Sequence, residues 1–149
     1  MAIPLLPPDF KEFLRLLNSH EVEYLLIGGY AVNYYGYSRA TADMAIWVAV
    51  NPQNAEKLVA ALKEFGFDVP ALTPELFLQE GKVTRMGVPP FRIELLNTIS
   101  GVGFNECYPE RTQDTLDDVE VNIINLNDLK ANKKASGRHK DLDDLEHLP

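Results

Sequence analysis

Apolar residues recur along the chain at two periods. Phe10, Phe13, Leu14 and Leu17 return at helical spacing behind Pro7-Pro8, with Asp9 near the cap, and predict an amphipathic helix. Glu23-Tyr24-Leu25-Leu26-Ile27 is a short apolar run ended by Gly28-Gly29, which predicts a buried strand. A short helix over residues 30–35 follows and closes near Gly36. Residues 44–50 form a second buried strand. Asn51-Pro52 then opens a helix to about Phe65, capped by Gly66, with Ala55, Leu58, Val59 and Leu62 on one face.

The second half is more polar. Residues 74–79 predict a helical turn, and residues 82–86 and 91–96 two strands joined by a hairpin-like connection, Gly87-Val88-Pro89-Pro90. A strand over 120–124 follows a turn at Asp117-Asp118. Asn125 or Asn127 caps a helix through Leu126, Leu129 and Lys133 to Gly137, and a last helix covers 141–148. This order predicts a mixed α/β fold in one domain over residues 1–149.

Composition narrows the class. The 149 residues are 46% hydrophobic and 24% charged, an ordinary globular balance, and no apolar run is long enough to span a membrane. A single cysteine, Cys107, precludes an intrachain disulfide, and the apolar start lacks a preceding positive charge, so a cytoplasmic location is expected. The net charge of −8 works against broad nucleic-acid binding, leaving one dense basic stretch between Lys130 and Lys140.

Three features carry candidate chemistry. Gly28-Gly29 ends a strand and opens a helix, where backbone amides suit a phosphate; the plain alternative is a turn. Asp43 stands at the mouth of the second strand, where it shares a face with residue 45; a solvated turn aspartate is the alternative. Glu94 is a carboxylate within an otherwise apolar strand, sharing a face with Arg92, either toward a cleft or on an ordinary amphipathic strand. His20, His139 and His147 have no metal spacing, Tyr30 and Tyr37 are weak base-stacking candidates, and Asp141, Asp143 and Asp144 read as a solvated helix face with Asp141 the one to watch.

Together, Gly28-Gly29, the stretch from Arg39 through Thr41 and Asp43 to Trp47, and the strand Arg92-Ile93-Glu94-Leu95-Leu96 resemble the signature of the DNA polymerase beta-like nucleotidyltransferase superfamily. The tail from Asp128 through Lys133-Lys134 and Arg138 to Leu145 is similar to the closing segment of stand-alone members, among them abortive-infection toxin-type enzymes. The resemblance implies transfer of a nucleoside monophosphate from an NTP to an acceptor hydroxyl on RNA or protein. It implies Mg2+ (or Mn2+) on Asp43 and Glu94, and nucleotide contacts from Gly28, Gly29, Arg39, Thr41, Lys133, Lys134 and Arg138. Arg39 as an exposed loop residue, and the lysines with Arg138 as a solvated helix end, are the plain alternatives. A toxin–antitoxin partner protein is also implied.

At one catalytic position the chain departs from the pattern. The superfamily asks for an aspartate where this sequence has Ala45, so the resemblance implies an impaired site. Either natural loss or deliberate substitution accounts for it; with Gly28, Gly29, Arg39, Thr41, Asp43 and Glu94 all present, deliberate substitution is favoured. A non-catalytic nucleotide-binding or antitoxin-like module is the alternative function.

Overall fold

Strand order β3-β4-β2-β1-β6-β5 defines one mixed six-stranded sheet in the computed structural model, which describes residues 6–87 and 92–149. The strands are β1 (Tyr24–Ile27), β2 (Met44–Val48), β3 (Val83–Met86), β4 (Ile93–Leu96), β5 (Thr112–Leu116) and β6 (Val119–Ile123). The α-helices are α1 (Pro8–Ser19), α2 (Gly28–Tyr34), α3 (Pro52–Phe65), α4 (Phe104–Cys107), α5 (Leu126–Ser136) and α6 (His139–His147). No helix among the described residues is long and apolar enough to cross a membrane.

Apolar periodicity decides the core. Phe10, Phe13, Leu14 and Leu17 of α1 are buried, as are Ala55, Leu58, Val59 and Leu62 of α3, and these two helices pack on each other. All four residues of β1 are buried because it lies between β2 and β6, away from both sheet edges. Asn51 caps α3 by accepting from the Asn54 amide, and Gly66 ends it in the left-handed region at φ 118°.

Several boundaries differ from the sequence pattern. The helix expected over 30–35 starts at Gly28 itself, directly on the last residue of β1. The turn expected over 74–79 is a 3-10 helix at Pro74–Phe77. Strand β5 was hidden by its polar sequence, Thr-Gln-Asp-Thr-Leu; it is an edge strand that pairs only with β6, so few of its side chains meet the core. Asp117 and Asp118, both at positive φ, form the two-residue hairpin between them. The expected connection at 88–90, with Phe91, lies outside the described residues.

Buried Asn54 ties the start of α3 to the sheet. It accepts from the Glu23 amide at 2.7 Å and donates to the Glu23 and Ala49 carbonyls at 3.1 and 3.0 Å. Asn54→Ala strands all three backbone groups, and we expect a loss of about 2 kcal/mol in urea unfolding. A midpoint equal to that of the parent would show that those groups find other partners.

Candidate functional site

The strand register assembles the site. Ile27, the last residue of β1, pairs with Ala45 of β2, and Ala45 pairs in turn with Glu94 of β4. Residue 45 therefore sits between the glycine corner and the Glu94 carboxylate. It is the one residue of β2 that is not fully buried. A cleft of about 550 Å³ opens there. Gly28, Gly29, Arg39, Thr41, Asp43, Ala45, Glu94, Lys133 and Arg138 all line it, so the structure brings together nine of the ten residues singled out from the sequence. Lys134 is exposed and is not among the lining residues.

Sterics require both glycines. Gly28 has φ +69°, and a side chain there would bring a Cβ to 3.2 Å from that of Ala45. At Gly29 a Cβ would lie 2.5 Å from the Thr41 hydroxyl. Thr41 in turn donates to the Asp43 carbonyl at 3.3 Å, so the glycine corner and the acidic loop are packed as one unit.

Both candidate carboxylates, Asp43 and Glu94, have an arginine. Arg92 donates to Asp43 Oδ2 at 2.9 Å, and Arg85 of β3 donates to Glu94 Oε2 at 2.8 Å. The Asp43 carboxylate raises the Arg92 pKa above its ordinary value, chiefly through that hydrogen bond. No group of three or more His, Cys, Asp or Glu among the described residues could hold a metal ion. Two arginine-neutralised carboxylates flanking an alanine do not fit a resident Mg2+ or Mn2+, which needs anionic oxygen donors free to coordinate it.

The cleft's opposite wall is a buried charge network. Lys133 of α5 has its ammonium 3.3 Å from Asp141 and 3.1 Å from Asp144 of α6. Arg39 donates to both oxygens of Asp144, at 2.7 and 2.9 Å, and Arg138 donates to Asp141 at 2.7 Å. Three cations thus face two carboxylates and leave one positive charge in excess beside the cleft. Burial alone would push Asp141 and Asp144 upward; the donors from Arg138, Arg39 and Lys133 outweigh it and hold both below the ordinary carboxylate value.

This network corrects one expectation. Asp141 and Asp144 are 1% and 0% exposed, whereas Leu142 between them is 44% exposed, so α6 buries the face that its sequence assigns to solvent. The cause is long-range: their partners are Arg39, 105 residues before Asp144, and Lys133 on the preceding helix. Only the paired spacing of Asp141 and Asp144 behind a basic helix end hinted at it. Tyr37 donates to Asp143 at 2.9 Å and stacks on His147, while Tyr30 packs edge-on against Phe10; neither lines the cleft.

No protein-family model matches the sequence. No curated protein matches it either. Solved structures do share its fold. A lincosamide antibiotic adenylyltransferase, LnuA, in its lincomycin-bound crystal structure is 14% identical, with a TM-score of 0.55 over 95% of each chain. An antigenic nucleotidyltransferase-like protein from Paracoccidioides brasiliensis is 16% identical, with a TM-score of 0.53 over 96% of this chain and 76% of the other. The protein has a nucleotidyltransferase-like α/β fold.

Carboxylates depressed on folding stabilise the protein above their unfolded pKa, and the contribution is lost as pH falls through the folded value. Stability should therefore fall as pH drops below about 4, the unfolded carboxylate range. Asp144→Asn leaves Arg39 and Lys133 short of a counter-charge and should cost about 3 kcal/mol at neutral pH. Its stability should also decline less steeply with acid. Denaturant unfolding of parent and variant across pH checks both; parallel pH curves would contradict the assigned role of Asp144.

Proposed function

We propose that the cleft receives a nucleoside triphosphate and that the chain is a nucleotidyltransferase whose transfer step is impaired by Ala45. The observation that supports this is the meeting of Asp43 and Glu94, from two loop-separated segments of the sheet, with Gly28-Gly29 and the Lys133–Arg138 wall in one cleft. The fold shared with nucleotidyltransferases gives that cleft its context.

In this reading the phosphates lie between the backbone of Gly28-Gly29 and the positively charged wall. Lys133 is fixed by two aspartates and cannot swing away, so its charge is pre-positioned for an anion. Arg138 is 76% exposed at its side chain and reaches the same cleft. Arg39 contributes through Asp144, which it holds in place, and Thr41 through the shape of the corner. The acceptor oxygen attacks the α-phosphorus, the new O–P bond forms as the bond to pyrophosphate breaks, and the acceptor proton passes to Glu94. Catalysis of this kind is mostly positioning and charge neutralisation.

Ala45 withholds the group that the arrangement most needs. A carboxylate at that position would stand beside Glu94 in register and face the cleft. We assign Mg2+ (or Mn2+) dependence to the form carrying aspartate at 45, in which Asp43 and Glu94 would complete the ligand set by exchanging Arg92 and Arg85 for the ion. The acceptor is a hydroxyl on RNA, protein or a small molecule; the net charge of −8 weighs against a long RNA footprint.

A second reading, a nucleotide-binding module without catalysis, is favoured by the arginine pairs on Asp43 and Glu94. Calorimetry with each NTP, followed by transfer from α-labelled NTP, separates the two. Ala45→Asp should bind Mg2+ and raise transfer by at least about 10- to 100-fold over the parent. NTP binding with no gain in transfer would support the binding module, and absence of NTP binding in both forms would overturn both readings.

A further inference from the structure

The mismatch between this donor set and a divalent ion has a consequence for what the cleft binds. The strand register sets Ala45 of β2 beside Glu94 of β4, and Glu94 opposite Arg85 of β3, so the three side chains share one face of the sheet. Arg92, two residues before Glu94, shares that face by alternation. Its carbonyl accepts from the Met44 amide at 2.8 Å, which brings its side chain to Asp43. Backbone pairing thus supplies each carboxylate with its arginine. An aspartate at 45 would add a third carboxylate to this face; alanine leaves two carboxylates against two arginines.

The opposite wall adds positive charge. Arg39, Lys133 and Arg138 outnumber Asp141 and Asp144 by one. Lys140 lines the cleft without an ion pair among the described residues and adds another. With the two sheet pairs included, six cations meet four carboxylates, an excess of two in a chain whose net charge is −8.

Glu94 is where the two walls meet. The hydrogen bonds from Asp43 and Asp141 raise the pKa values of Arg92 and Arg138 most, and the Glu94 charge raises both further. Three arginines, from β3, the entry to β4 and the α5–α6 turn, therefore lie within electrostatic reach of one carboxylate. Arg85 donates to it through Nε alone. Its two terminal nitrogens make no hydrogen bond among the described residues, and its side chain is 56% exposed in the cleft. That is a guanidinium edge open to a phosphate.

We propose that this chain binds the polyphosphate of a nucleotide as the metal-free anion, with Arg85 and Arg138 supplying at Glu94 the positive charge that divalent ions would otherwise bring. The inference rests on the nucleotide reading of the cleft and goes beyond it, because it makes Mg2+ an antagonist of binding. Chelation by Mg2+ removes two negative charges from the nucleotide and engages the phosphate oxygens that the guanidinium groups would take.

Calorimetry of the parent protein with ATP at constant ionic strength, in EDTA and in excess Mg2+, tests this. ATP should bind at least about fivefold more tightly in EDTA. Arg85→Gln should weaken binding of metal-free ATP about tenfold and narrow the gap between the two conditions. Arg85 is largely exposed, and matched thermal unfolding checks that the variant folds; the comparison in the parent needs no variant. Binding in Mg2+ that is tighter, equal or less than about fivefold weaker would overturn the inference and leave the nucleotide reading standing. A folded Arg85→Gln variant with the parent's affinity in EDTA would also overturn it. No ATP binding under either condition would overturn both.

Discussion

The salt-bridged ammonium of Lys133, held between Asp141 and Asp144, is the interaction on which the architecture of the cleft depends. Burying a lysine to 5% exposure is costly without counter-charges, and two aspartates, themselves held by Arg138 and Arg39, supply them. Arg39 extends the network to the loop ahead of β2, so the C-terminal helices and that loop are fastened by charge rather than by apolar packing. Helix α5 shows why: besides Lys133, only Leu129 and Asn132 are buried on it. Without the network, little apolar area would hold the α5–α6 wall over the sheet.

Strand β2 supplies the other half of the design. Met44, Ile46, Trp47 and Val48 are buried, which fixes the strand in the sheet and leaves Ala45 to face the cleft. The same register places Glu94 at its side and the glycine corner at its other edge. Arginines 92 and 85 neutralise the carboxylates that remain. A single methyl group thus occupies the point where the sheet brings the candidate positions together.

Much of this was legible in the sequence because the informative signals are local. The apolar spacing of α1 and α3, the Asn51-Pro52 start and Gly66 stop, and the run Leu25-Leu26-Ile27 into two glycines depend on residues near one another. Asp43 and Glu94 were recognisable as candidates because a carboxylate at the mouth of one buried strand or within another requires a reason. Pairings across long separations were not legible. Arg39 with Asp144, and Asn54 with Glu23, join distant segments, and nothing around either residue announces its partner. Strand β5 was missed for a related cause, since an edge strand needs few apolar residues. The arginine opposite Glu94 was also invisible, because the β3–β4 register decides it.

We propose nucleotide binding in the cleft between Gly28-Gly29 and Lys133. A cleft of similar volume, lined by Asn18, Glu23, Arg111 and Glu120, lies elsewhere on the molecule and provides the natural rival. A crystal structure of the protein with a non-hydrolysable ATP analogue tests the claim most directly. Phosphate oxygens beside the Gly28-Gly29 backbone and within reach of Lys133 or Arg138 are the predicted result. A nucleotide seated against Arg111, with the glycine corner empty, would contradict the account.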